Sequence, residues 1–397
     1  MTYKCLKKWF SVSLPFFPML ILYGFEILPF LTFSDYLLIF FIMATIIKSG
    51  FKLELNKAFM PLVIYLVVQP LLLLCFESEN IDYIDAFGTA WKLAIYIFGI
   101  ALLKKILQID YFIKYVRYIG IFSTIYGFLQ YALGTYARIS LSPYLPFLPI
   151  IRIGLDDQQS GWIAYNLAVR PRAWFSEPAT FAIFLLMALL IELFIVSKEN
   201  RSKALCLIYS FGIIISHSST GTIGLVILFF VWMLIYPKDF LYRIPQNIVV
   251  GFLIILPVFA FLLYRSGYIE AFIGHTFVNG QGILAQSHFI DVQAAIGEDT
   301  SFAQMVLGKG MQNVEAGYLP GWFRTYYCLG LIGVLLYLDG FYRIYIRCSN
   351  KARIIIITFI GLNVGTEIML GVFMLLYMLA TMLPEYSNEE ILNEHTV

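Results

Sequence analysis

The chain has 397 residues, of which 60% are hydrophobic, 17% aromatic and only 13% charged. No soluble domain of this size uses that much apolar surface, so composition excludes a soluble enzyme and predicts an all-α polytopic membrane protein forming one bundle. A net charge of +2 gives no case for nucleic acid, and Cys5, Cys75, Cys206, Cys328 and Cys348 show no paired spacing, which argues against a disulfide framework or a Cys-type metal site.

The chain opens with Lys4, Lys7 and Lys8 before an apolar stretch from Trp9 to Phe25. No small-x-small cleavage site follows, so this stretch reads as a retained first span. Apolar runs recur at about 10–30, 35–48, 58–76, 86–103, 115–134, 178–197, 203–216, 220–236, 246–264, 322–342, 353–366 and 368–383. A span needs roughly 20 residues, so the runs at 35–48, 203–216 and 353–366 are short, and the last two read equally as half-helices. With the N-terminus inside, the inner connections collect 19 of the 27 basic residues, and the first outer hairpin carries Glu77, Glu79, Asp82 and Asp85. Twelve spans with both termini cytoplasmic satisfy this pattern. Two long connections then lie outside, at about 135–177 and 265–321. Ordered external loops on one face point to chemistry at the outer surface.

The densest chemistry is Arg170 to Pro178, read as Arg-Pro-Arg-Ala-Trp-Phe-Ser-Glu-Pro. Arginine forks match phosphate oxygens and stay charged at any working pH. Arg170 and Arg172 lie two residues apart, so an extended backbone aims both to one side. Glu177 is a candidate base for a hydroxyl proton, and Pro178 reads as the first-turn proline of the next helix. The functional reading is a site for a phosphorylated lipid at the mouth of the bundle. The plainer reading is a helix end anchored at the headgroups by Arg and Trp174.

Further candidates fall on the same side. Ser216 to Thr222 reads Ser-His-Ser-Ser-Thr-Gly-Thr, a hydroxyl-rich turn opening a helix. Its Ser219 and Thr220 either help bind phosphate or cap the helix, and His217 reads as solvated. Gly308-Lys309-Gly310 is a weak phosphate-cradle signal without Walker-type spacing. Arg265 and Arg324 flank the second long loop at membrane depth, where pairing with Asp156, Asp157, Glu270 or Asp291 is the alternative to binding an anion. His275 and His288 are further candidate bases, with Asp291 one helical turn beyond His288. No metal-ligand spacing is present, so neither metal nor other cofactor is expected. Glu26, Glu192, Asp339 and Glu367 fall inside or at the edges of spans, which raises a proton path as a possibility.

Arg170-Pro-Arg followed by Phe175-Ser-Glu-Pro, the Ser-x-Ser-Ser-Thr-Gly turn, and Gly308-Lys-Gly with the later Cys328-Leu-Gly-Leu-Ile-Gly resemble the O-antigen polymerase (Wzy-type) family and its ligase-like relatives. The resemblance implies a metal-independent membrane glycosyltransferase of about twelve spans. Such an enzyme joins polyprenyl-diphosphate-linked oligosaccharides at the outer face of a bacterial cytoplasmic membrane, with a flippase and a chain-length regulator as expected partners. By position, Arg170, Arg172 and Glu177 match the Arg…Glu-Pro element, and Ser219, Thr220 and Gly221 the turn. With Arg265, Lys309 and Arg324 closing from the second loop, the substrate's diphosphate would be enclosed, and Glu177, then His288, are the candidate bases. Two features depart from the pattern. Phe181, Ile163 and Thr276 stand where the Arg-x10-Gly repeat of some members has glycine. The ligases' His-Asn pair is replaced by Glu315-Ala-Gly-Tyr-Leu-Pro, which weakens a ligase assignment. A ligase, or a transporter of lipid-linked glycan, is the alternative.

Overall fold

The computed structural model describes residues 2–25, 31–50, 57–75, 83–151, 169–235, 301–311, 319, 321–364, 366, 368 and 371–383. Among them every regular element is a helix, and the only strand-like contacts are isolated bridges joining Tyr23 to Ile150 and Gly24 to Thr32. The expected span at 246–264 and the candidates Arg265, His275, His288 and Asp291 lie outside the described residues.

The elements are α1 (Tyr3–Ser13), α2 (Phe17–Leu20), α3 (Phe33–Lys48), α4 (Met60–Leu74), α5 (Tyr83–Leu103) and α6 (Ile109–Ala132). After these come α7 (Pro178–Leu190), α8 (Lys203–Ile215), α9 (Ser219–Ile235), α10 (Phe302–Leu307), α11 (Gly321–Tyr345), α12 (Asn350–Leu362) and α13 (Val372–Ala380). Single π-turns extend α6 over Leu133–Ala137 and α7 over Ile191–Ile195. Ala86–Ile106, Pro178–Ile195 and Gly321–Tyr345 are long and apolar enough to cross a membrane. By contrast α8 and α12, with 13 residues each, rise only about 20 Å against the roughly 30 Å of a hydrocarbon core.

The first apolar run differs from its expected form. Lys4, Lys7 and Lys8 lie within α1, because Leu6 and Phe10 on its other side are buried and the lysines take the opposite one. Lys7 rests over the Tyr3 ring and Lys8 over that of Tyr111. Pro15 and Pro18 then break the run into a 3-10 turn and the short α2, since proline lacks the N–H that continued α-helical pairing needs.

The core is built around α7. It is apolar on every side, and a helix of that kind is stable only when surrounded. Phe181 to Leu190 are all fully buried, with α6, α8 and α9 packed around them. Its neighbour α13 is buried in the same way from Met374 to Ala380, and the Tyr377 hydroxyl donates to Ile183 O of α7 at 2.9 Å. The Arg170–Pro178 motif therefore leads straight into one of the most deeply buried of the described helices.

Three carboxylates within the described helices are paired with basic side chains. Asp35 at the start of α3 is buried and meets Lys92 of α5 at 2.5 Å. Its carboxylate also accepts from Thr32 N–H at 2.7 Å, from the Thr32 hydroxyl at 2.8 Å and from the Tyr96 hydroxyl at 2.6 Å. This pairing supplies a partner for Lys92, a basic residue within an apolar run. Glu192 pairs with Arg117, and Asp339 with Arg343. Each has a local partner, so these three form no chain of carboxylates across the bundle.

The tenth apolar run is not one continuous helix. Within α11, Gly330 is non-helical at φ +65° and ψ −172°. Gly308, at φ +82°, closes α10 against this break. A Cβ on Gly330 would run into Val306 O and Gly308 N, and one on Gly308 into Cys328 O, so the two backbones meet where only glycine fits. The α11 carbonyls freed by the break are taken up by neighbouring donors. Lys309 N–H donates to Tyr327 O at 2.8 Å and Gly310 N–H to Cys328 O at 3.0 Å. From α4, the Tyr65 hydroxyl donates to Leu329 O at 2.8 Å and the Gln69 amide to Cys328 O at 2.9 Å. Both side chains also reach Leu307 O at 2.9 Å. Irregular backbone within a bundle is tolerated where the protein itself satisfies it, and this break meets that condition.

Candidate functional site

The site forms where α6 ends. Two polar residues of α6, Tyr126 and Gln130, act as brackets for the loops on either side. The Tyr126 hydroxyl donates to Ser142 O at 2.5 Å, and its ring stacks on Trp174 with centroids 4.6 Å apart and planes 14° from parallel. Gln130 grips Ala173 by both of its backbone groups: Ala173 N–H donates to Oε1 at 2.8 Å and Nε2 donates to Ala173 O at 3.3 Å. A side-chain amide presents one donor and one acceptor side by side, which is what a single residue's backbone offers.

Beyond Ala132 the helix widens into its π-turn, and Arg138 follows at φ +59°. Among the described residues three non-glycines have positive φ: Arg138, Ala173 at +50° and His217 at +54°. All three gather at the end of α6. Ala173 is the residue held by Gln130, and the His217 ring lies 5.5 Å from that of Tyr131. Left-handed conformations in residues with a Cβ persist only where surrounding structure dictates them, and they cluster at functional sites.

Between these elements lies a cavity of about 220 Å³, whose described lining comprises Gln130, Gly134, Arg138, Ser140, Leu141, Pro143, Val169, Arg170, Pro171 and Arg172. Three arginines face it, and no carboxylate is among the described lining residues. The structure thus brings the expected Arg170 and Arg172 together and adds Arg138. The side chain of Arg172 is buried. It donates through Nη1 to Ser176 O at 2.6 Å and through Nη2 to the Tyr144 hydroxyl at 3.2 Å, with the guanidinium 5.2 Å from the Tyr144 ring centre. Two donors in fixed directions lock the fork in place. Arg138 belongs to the long loop in sequence and carries no motif around it; the π-turn and the Gly134 approach to Val169 bring it in.

Glu177 stands at the N-cap of α7 in extended conformation and forms a capping box with Thr180, whose hydroxyl accepts from Glu177 N–H at 3.1 Å. Pro178 occupies the first turn, as the sequence predicts. A helix N-terminus favours an anionic carboxylate, so this position alone gives Glu177 a structural task.

The remaining candidates are placed elsewhere or used differently. The Ser216–Thr222 turn is buried from Ser216 to Gly221, not solvated, and His217 is only 5% exposed. Its capping residue is Ser218, whose hydroxyl accepts from Gly221 N–H at 3.1 Å, in place of Ser219 or Thr220. Ser219 and Thr220 are themselves buried in the first turn of α9. The Gly308-Lys309-Gly310 backbone cannot act as a phosphate cradle in this conformation, because all three of its N–H groups bond to protein carbonyls: Gln304 O, Tyr327 O and Cys328 O. The Lys309 ammonium lies over the Tyr327 ring, 4.8 Å from its centre. Arg324 sits in the first turn of α11, and neither it nor Lys309 is among the described residues lining the arginine cavity. All five cysteines are free thiols.

The arrangement can hold an anion of phosphate size against three guanidinium groups, while Glu177 caps α7 and is not among the described lining residues. No protein-family model matches the chain, and no curated protein is similar to it in sequence.

Proposed function

We propose that the chain is a metal-independent membrane glycosyltransferase that polymerises a surface polysaccharide from polyprenyl-diphosphate-linked repeat units. The observation that carries this reading is the convergence of Arg138, Arg170 and Arg172 on one cavity. On this reading twelve spans place both termini in the cytoplasm and the cavity at the outer face of a bacterial cytoplasmic membrane. The helix order and the 19 inner basic residues support that topology.

In the reaction the bond between the donor sugar's anomeric carbon and its phosphate oxygen breaks, and the diphosphate leaves with the electron pair. The acceptor hydroxyl of the next lipid-linked unit forms the new glycosidic bond and gives up its proton. Charge grows on the leaving diphosphate as its bond breaks, so guanidinium groups already fixed in position favour the transition state over the ground state. Arg172 is fixed by two hydrogen bonds. Glu177 is the base for the acceptor proton, with His288 as the second choice; Lys309, Arg324 and Arg265, outside the described cavity lining, are candidates for contacts farther along the substrate.

Purified protein given a lipid-linked repeat unit, without a membrane gradient and in excess chelator, should yield a ladder of lengthened products. Glu177→Gln should fold and bind substrate yet turn over about 10²-fold or more slowly. A near-normal rate in that variant leaves Glu177 as a helix cap only. Transfer of a single glycan to a foreign acceptor would identify a ligase instead. Absence of any covalent product from folded protein would favour transport, and rescue only by added Mg²⁺ would overturn metal independence.

A further inference from the structure

The loop that walls one side of the cavity has a second face. From Ile139 to Ile151 the sequence is Ile-Ser-Leu-Ser-Pro-Tyr-Leu-Pro-Phe-Leu-Pro-Ile-Ile, with no charged residue. Ser140, Leu141 and Pro143 line the arginine cavity. Phe147, which is not among those lining residues, is 98% exposed, and Ile139 and Ile150 are exposed as well. A connection outside the helices would ordinarily show polar groups to water; this one shows an aromatic ring.

The loop is also held in shape. Tyr126 bonds Ser142 O, Leu145 N–H donates to the Tyr23 hydroxyl at 2.6 Å, Gly24 N–H donates to Pro149 O at 3.2 Å and Ile151 N–H donates to Leu22 O at 3.0 Å. Pro143, Pro146 and Pro149 have no N–H to leave unsatisfied in an apolar medium. The exposed apolar stripe of α6, through Tyr118, Phe122, Ile125 and Leu129, continues past the π-turn to Tyr136 and Ile139 and so reaches this loop.

We infer that residues 139–151 form an interfacial wedge, with Phe147 buried in the outer leaflet of the lipid bilayer. The occupant of this surface is phospholipid, because the loop is charge-free, lacks N–H groups at three positions, and is continuous with the apolar face of α6. The wedge sets the cavity on its other side at the depth of the phosphate headgroups, so the arginines meet phosphate that a lipid carries. This rests on the membrane placement proposed above, and not on the glycosyltransfer chemistry.

The test is photocrosslinking in nanodiscs of phosphatidylethanolamine and phosphatidylglycerol. Phe147→p-benzoylphenylalanine is compared with the same substitution at Leu207, which is exposed on α8, and at Lys105, which is exposed in the turn after α5. Replacing a nearly fully exposed phenylalanine by a larger one leaves folding intact, and a monodisperse elution profile checks this. Intact-mass spectra should show one added phospholipid at position 147, to an extent within about threefold of position 207, and little at position 105. Lipid at 207 with none at 147 overturns the wedge while leaving the bundle in its membrane. Lipid at neither position overturns both.

Discussion

Among the described residues, the interruption at the α10–α11 junction and the one at the end of α6 are resolved in opposite ways. At the α10–α11 junction, Gly308 and Gly330 let two backbones touch, and Tyr65, Gln69, Lys309 and Gly310 take up the freed carbonyls. At the end of α6, residues with side chains are held in left-handed conformations, and three arginines converge on a cavity. The first region spends its polar groups on itself, so it offers a ligand little. The second spends backbone strain to keep cationic side chains around an open space. A break in a membrane helix is therefore not by itself a binding site. What differs is which groups face the space: backbone carbonyls already answered by protein donors at the first, arginine side chains around a cavity at the second.

That contrast can be attacked at several points. The largest effect is expected at the closed junction. Gly330→Ala puts a Cβ against Val306 O at a positive φ and should destabilise the protein by more than about 4 kcal/mol. Thermal unfolding in detergent, or simple loss of monodisperse protein, reads this; a variant of normal stability would mean the two backbones do not meet there. Next comes Arg172→Lys at the open site. It keeps the charge but cannot reproduce both fixed donors, so turnover should fall by about 10²-fold with the protein still folded. An unchanged product ladder would remove Arg172 from diphosphate binding.

A smaller, sharper effect belongs to Gln130→Met. It is close in shape and loses both bonds to Ala173, which should cost about 1–3 kcal/mol of stability. If the bracket positions Arg172, turnover at a temperature where the variant is fully folded should fall further than the folded fraction explains. Equal losses would make Gln130 purely structural. The smallest effect is expected for Ala173→Gly. Relief of the left-handed strain is offset by added freedom in the unfolded chain, so stability should stay within about 1 kcal/mol of the parent. A large loss here would show that the Ala173 methyl group is needed for packing.

Much of the fold was legible because apolar run length is a direct signal. The runs at 86–103 and 178–197 correspond to helices of nearly those bounds, and Pro178 marks a helix start as its chemistry requires. The short runs at 203–216 and 353–366 are short helices. Gly330 was not readable as a break, since a lone glycine in an apolar run is equally compatible with a straight helix. Its partner Gly308 lies 22 positions earlier, beyond any local pattern.

The candidate site divides in the same manner. Arg170 and Arg172 stood out because charge is rare in this chain and two arginines within three residues are rarer. Arg138, one of eight basic residues that charge placement leaves off the inner side, has no adjacent motif to mark it as a site residue. His217 read as solvated because a hydroxyl-rich turn is usually at a surface, whereas tertiary packing buries it against Tyr131. Composition and spacing alone determined that the chain is helical and apolar, where its long helices run, and that Arg170, Arg172 and Glu177 precede one of them. Only tertiary structure decided which cations share a cavity, which glycines touch and which donors are consumed. Those outcomes depend on contacts between residues far apart in the chain, and no local periodicity encodes them.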